Sequence, residues 1–142
     1  MRRHFIIACL AAGLFSSAAG AATIQYHAVL RGASEVPPTT TNGIGELYAT
    51  LDTGTKQLTY TLSFSGLTGP AGAAHFHGPA LAGVNAGVVV PITGNLAEPV
   101  HGTATLTDAQ ISDLGAGKWY VNVHTAANKG GEIRGQLMRG AR

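Results

Sequence analysis

Leu58, Tyr60, Leu62 and Phe64 are apolar, and Gln57, Thr59, Thr61 and Ser63 stand between them. Successive side chains of a strand point to opposite faces, so this alternation describes a strand with one face on a core and one toward water. The same period of two recurs where Ile24, Tyr26, Ala28 and Leu30 alternate with Gln25, His27 and Val29. It recurs again where Leu47, Ala49 and Leu51 alternate with Glu46, Tyr48 and Thr50. Further strands are predicted at Ala73 to His77, Gly87 to Ile92, Val100 to Leu106, Lys118 to His124 and Glu132 to Met138. Turn signals divide them, among them Asp52-Thr53-Gly54, Thr68-Gly69-Pro70, Gly78-Pro79, Thr93-Gly94-Asn95 and Asn128-Lys129-Gly130-Gly131. A single helix is predicted at Thr107 to Leu114, with Thr107 as N-cap, Gln110 as its capping-box partner, and Gly115 and Gly117 as stops. Twenty glycines weigh against more helix, because glycine costs helix entropy. The expected fold is all-β, an antiparallel Greek-key-like sandwich or barrel of about eight strands with one short helix.

The N-terminus is of another kind. Arg2 and Arg3 precede an apolar run from Phe5 to Phe15, which is followed by small residues from Ser16 to Ala22. The run is shorter than the roughly 20 apolar residues that a membrane-spanning helix needs. A basic start, a short apolar core and an A-x-A exit at Ala19, Gly20 and Ala21 mark a secretory signal peptide over residues 1–21, cleaved near Ala21 or Ala22. The remaining residues 22–142 make one domain, expected in the periplasm or outside the cell and not inserted in a membrane once cleaved. The chain has nine Lys plus Arg and seven Asp plus Glu; without Arg2 and Arg3 the balance is seven against seven. Zero net charge with no like-charge run lacks the footprint of a nucleic-acid binder. Cys9, the single cysteine, leaves with the leader, so the core holds the fold without a disulfide.

The informative side chains of the mature domain are five histidines, His27, His75, His77, His101 and His124. His75 and His77 flank Phe76; on a strand, positions two apart share a face about 6.5–7 Å apart, close enough for two imidazoles to reach one ion. In Trp119 to His124 the alternation puts Trp119, Val121 and Val123 on one face and Tyr120, Asn122 and His124 on the other. His124 is therefore a candidate third ligand, if its strand lies near that of His75 and His77. Three imidazoles suit copper or zinc. His27 and His101 are isolated and read as surface histidines, either of which could complete the ligand set. Glu132, Arg134 and Gln136 share a strand face opposite Ile133, Gly135 and Leu137. Glu132 and Arg134 are expected to pair with each other or with neighbouring strands, in a salt bridge that fixes register, the alternative being that Glu132 orients a ligand histidine. Glu35, in a loop before Pro37 and Pro38, fits either that orienting role or a solvent-exposed one.

Four stretches, Leu30 to Pro38, Ala74-His75-Phe76-His77-Gly78-Pro79-Ala80, Leu114 to Thr125 and Gly131-Glu132-Ile133-Arg134-Gly135-Gln136-Leu137, together resemble the signature of the CHRD domain. That domain is named after chordin and occurs alone in many exported bacterial proteins. The likeness runs from about Tyr26 to Leu137. It implies a β-sandwich or barrel similar to the Greek key of copper-zinc superoxide dismutase, whose metal strand also carries a His-x-His. It maps metal binding onto His75, His77 and His124. The chain departs from the dismutase pattern in lacking a bridging histidine, an aspartate cluster and a disulfide. Chordin's growth-factor binding does not transfer to a stand-alone domain.

Three function classes follow: an exported copper- or zinc-binding protein, a structural or protein-interaction module with a partner in the envelope or outside the cell, and a dismutase-like redox metalloprotein. Catalysis is the less favoured outcome. Acyl-transfer chemistry has no nucleophile here, because the mature part has no G-x-S-x-G, no close carboxylate pair and no cysteine.

Overall fold

The computed structural model describes residues 20–140. The strands are β1 (Thr23–Arg31), β2 (Ile44–Asp52), β3 (Gln57–Ser65), β4 (Ala71–His77), β5 (Val88–Ile92), β6 (Val100–Thr105), β7 (Tyr120–Thr125), β8 (Ile133–Gln136) and the short β9 (Met138–Arg139). The one α-helix among the described residues, α1 (Asp108–Gly115), joins β6 to β7, and a single 3-10 turn at Gly32–Ser34 follows β1. The predicted leader lies, from residue 1 to residue 19, outside the described residues.

All strand pairs are antiparallel, and the order β5-β4-β7-β8-β1-β2-β3-β6 wraps into a nearly closed, barrel-like sheet, with β9 added to β1. The predicted all-β fold is therefore the observed one, and of sandwich or barrel it is the barrel-like form. Register follows the alternation read from sequence. Ala28 faces Leu47 and Leu47 faces Leu62; Tyr26 faces Ala49 and Ala49 faces Tyr60. A slip of one residue would turn each of these sets outward, so burial of one face fixes the pairing. The strand predicted over Glu132 to Met138 is instead two, β8 and β9, with the buried Leu137 between them donating its N–H to the Trp119 carbonyl at 2.9 Å.

Phe76 of β4, Val121 and Val123 of β7 and Ile133 of β8 fill the core together with Trp119, just before β7, and Leu137, between β8 and β9. Phe76 lies edge-on to Tyr60, with ring centres 5.1 Å apart. Because Phe76 points inward, its neighbours His75 and His77 point outward from the wall. The chain covers them there. The segment 78–87, between β4 and β5, lies over the outer face of β7, which explains why Tyr120 and Asn122 are buried along with Val121 and Val123. Gly78 is required where this segment leaves β4, since a Cβ there would come within 2.6 Å of the Trp119 ring and 2.9 Å of the Lys118 carbonyl oxygen.

α1 starts as predicted. The Thr107 hydroxyl accepts from the Gln110 N–H at 3.2 Å, and the Gln110 side chain accepts from the Thr107 N–H at 2.9 Å. The two bonds satisfy N–H groups that a helix start leaves unpaired. Its ion pair, Lys56 with Asp108 at 2.8 Å, is solvent-exposed and adds little.

Candidate metal centre

β4 and β7 are neighbours, paired so that His75 stands opposite Asn122, His77 opposite Tyr120 and Ala73 opposite His124. On the shared outer face this register brings the three histidines together. His75 Nδ1 lies 3.1 Å from His124 Nε2. Ring centres are 4.9 Å apart for His75 and His124, 5.5 Å for His75 and His77, and 6.4 Å for His77 and His124. One nitrogen from each ring lies within 4.8 Å of the other two. This cluster could hold a metal ion.

Backbone carbonyls set the orientation of two of the rings. His77 Nδ1 meets the Ala86 carbonyl at 3.0 Å, and His124 Nδ1 meets the Lys129 carbonyl at 2.9 Å. A carbonyl only accepts, so both Nδ1 atoms carry protons and, in the neutral rings, both Nε2 atoms present lone pairs to the cluster. Such partners are what orient ligand imidazoles in metal sites. His77 also stacks on Tyr120, 4.7 Å between centres and 2° from parallel, and the Arg134 guanidinium covers the Tyr120 ring at 3.3 Å. Arg134 donates to Asn85 Oδ1 at 2.9 Å and to the Val84 carbonyl, while the Tyr120 hydroxyl donates to the Ala86 carbonyl at 3.2 Å. The segment that supplies the Ala86 carbonyl is thus tied to β7 and β8.

Burial lowers the pKa of His75, and the neighbouring His124 and His77 lower it further. Burial also lowers that of His77; its bonds to Ala86 and Asn122 pull the other way, and the charges of His124 and Arg134 add to the lowering. Both rings therefore favour the neutral form that ligation requires.

The donor set fits a tetrahedral ion. Bonds of about 2.0–2.1 Å put ligand atoms about 3.3 Å apart, close to the 3.1 Å between His75 and His124. The wider separations, that of His77 and His124 the widest, close only if the half-buried His75 and His124 both move toward His77, which is buried at 8% exposure. A cavity of about 520 Å³, lined by Pro70, Ala71, Ala73, Ala126 and Lys129, reaches His75 and His124 and gives the cluster its route to solvent.

The other histidines lie apart. His27, on β1, stacks on Tyr48 at 4.5 Å, and His101, exposed on β6, meets the Thr61 hydroxyl at 3.0 Å; neither belongs to the cluster of three. The expected salt bridge between Glu132 and Arg134 is not formed, and Glu132 touches no ligand histidine. Its fully buried carboxylate accepts from the hydroxyls of Thr41 at 2.6 Å, Thr68 at 2.5 Å and Thr125 at 2.5 Å, from the Thr68 N–H at 2.8 Å and from Asn128 Nδ2 at 3.0 Å. Burial alone would raise its pKa, but the bonds from Thr125, Thr41 and Thr68 outweigh burial and bring it down to about 2. Alternation assigned the two side chains a face, and their partners came instead from distant loops.

Glu35 is not in solvent; it is 4% exposed. Burial raises its pKa, while the Arg134 guanidinium, the Asn122 amide and the Val36 N–H oppose that rise. Asn122, which sequence reasoning placed only on the polar face of its strand, proves central. Its Oδ1 lies 3.0 Å from His77 Nε2 and 2.9 Å from His124 Nε2. Its position two residues before His124, on the same strand face, was the available signal.

The family model of the CHRD domain matches residues 26–137. No curated protein and no solved structure matches the chain. The matched span contains every strand from the middle of β1 to the end of β8, together with the three clustered histidines and Asn122. The chain belongs to the CHRD domain family.

Proposed function

We propose that this is an exported metal-binding protein that takes one copper or zinc ion through His75, His77 and His124 and serves in metal storage, delivery or tolerance. The observation that carries the reading is the convergence of one nitrogen from each ring within 4.8 Å, with two of the rings already held in the right tautomer by the Ala86 and Lys129 carbonyls. A metal in that position supplies a Lewis-acidic or, for copper, a redox-active cation. The residues do the rest. His77 anchors the site at its buried end, His75 and His124 close it from the solvent side, and the Tyr120–Arg134 stack keeps the His77 ring plane fixed. Imidazole is a borderline ligand, suited to both ions, and the affinity order places copper above zinc. Export rests on the basic, apolar and small-residue succession at the N-terminus.

Calorimetric titration with copper and zinc of the wild type, His77→Ala and His27→Ala tests the reading. His77→Ala is expected to lose far more affinity than His27→Ala, because only the first removes a ligand. Equal affinities in all three proteins, or no binding in any, would overturn it in favour of the interaction module.

A further inference from the structure

Asn122 Oδ1 meets two histidine nitrogens that have no proton to offer it. Nδ1 of His77 and Nδ1 of His124 each face a carbonyl, so each neutral ring is a bare acceptor at Nε2. Those two Nε2 atoms lie 3.0 and 2.9 Å from Oδ1, and His75 Nδ1 lies 3.1 Å from the second. His75, whose tautomer no carbonyl fixes, can donate from Nδ1 to His124 Nε2, but Asn122 Oδ1 and the two Nε2 atoms remain three acceptors with no proton between the oxygen and either nitrogen. Acceptors so arranged in a buried place repel unless a cation sits among them.

Turning the carboxamide over would replace Oδ1 with the Nδ2 donor and remove the conflict, but the other end of the group forbids it. Glu35 lies there, 4% exposed; its Oε1, which has no other partner, and Asn122 Nδ2 both border the point that a Gly131 Cβ would occupy. A flipped Asn122 would set its oxygen against the Glu35 Oε1 and withdraw the only amide donor beside it. Gly131 leaves both groups this room, since a Cβ at its φ of +127° would overlap Glu35 and come within 2.7 Å of Asn122 Nδ2. The buried Glu35 therefore orients the carboxamide, and the carboxamide oxygen points into the cluster.

We infer that Asn122 supplies a fourth ligand, through Oδ1, to the ion held by His75, His77 and His124, which makes the centre one of three nitrogens and one oxygen, with Glu35 as the positioning residue. The inference rests on the metal-binding reading above. The contacts of 2.9 and 3.0 Å are near the ligand spacing of about 3.3 Å that a tetrahedral ion imposes.

The test uses the wild type first, so that it does not depend on a variant that folds. The chain holds five asparagines, at positions 42, 85, 95, 122 and 128. With labelled asparagine, saturation with zinc is expected to shift the Asn122 side-chain carbonyl resonance more than those of the other four. Asn122→Ala is expected to lower zinc affinity roughly 10- to 100-fold and to alter the copper(II) paramagnetic resonance spectrum while three imidazole nitrogens still couple to the ion. Glu35→Gln should lower affinity by less and leave the spectrum of the bound ion as in the wild type. An Asn122 resonance unmoved by zinc, or an Asn122→Ala protein with wild-type affinity and spectrum, overturns the fourth ligand; if His77→Ala still abolishes binding, the three-histidine site stands without it. Absence of binding by the wild type removes both.

Discussion

At the scale of single residues, two histidines and a glutamate withdrawn from water come to opposite ends. His75 and His77 are kept neutral by burial, and their pKa values fall below the ordinary 6.5. Protons compete with a metal for the same lone pairs, so affinity should hold as pH drops to 6.5 and decline only below that. Calorimetric affinities across pH 5 to 8, a range bracketing histidine's ordinary value of about 6.5, check this; a midpoint above 6.5 would contradict it. Without metal, the unfolded chain binds more protons than the folded one wherever pH lies between the lowered values and 6.5. The histidines' contribution to stability is then fully present above 6.5 and is lost as pH falls through the lowered folded values. Glu132 is kept charged instead, with its pKa near 2 because hydroxyl and N–H donors surround it. Its contribution is present above the ordinary glutamate value of 4.5 and is lost as pH falls toward 2. Glu132→Ala strands donors from Thr41, Thr68, Thr125 and Asn128 and should cost about 3 kcal/mol or more in urea denaturation. Sequence reasoning found Glu132 and missed its purpose, since threonines at positions 41, 68 and 125 carry no signal of converging on one carboxylate.

At the scale of elements, what was legible was whatever repeats along one strand. The alternations in β1, β2 and β3, the His-x-His of β4 and the capping box of α1 are each read from a few adjacent residues, and each stands as read. The helix cap has a direct measure: Thr107→Ala should lower stability by about 1 kcal/mol, seen as a lower denaturation midpoint with an unchanged slope. Cover was not legible. β7 reads as a strand with a core face and a polar face, yet both faces are buried, because the segment 78–87 folds over the second. No periodicity in that segment announces where it lies; its place is set by Arg134, Tyr120 and His77 reaching its backbone. The turn between β7 and β8 is similar. Gly131→Ala, in a left-handed conformation against Glu35 and Asn122, should cost about 1–3 kcal/mol and weaken metal binding with it. A variant of wild-type stability and affinity would show that the turn can yield, and that Glu35 and Asn122 are less closely fitted than described.

At the scale of the whole molecule, the ends of the chain and the metal make separate predictions. Mass spectrometry of exported protein should find a chain that begins near Ala21 or Ala22, and an intact Met1 in that fraction would refute export by this leader. An ion that binds only the folded state should raise the melting temperature; at a free concentration 100 times Kd the gain is about 2.7 kcal/mol, roughly 10 °C for a domain of this size. The nearly closed sheet limits what removing that ion can do. The three proposed ligand histidines stand on β4 and β7, whose inner faces are packed through Phe76, Val121 and Val123 whether or not a metal is there. A chelator should therefore strip the ion and leave the far-ultraviolet circular dichroism unchanged, unlike a zinc finger, which unravels when emptied. On the proposed reading the metal is cargo rather than scaffold: an emptied molecule would keep its shape, withstand proteases between loads, and be open to filling and discharge repeatedly without being remade.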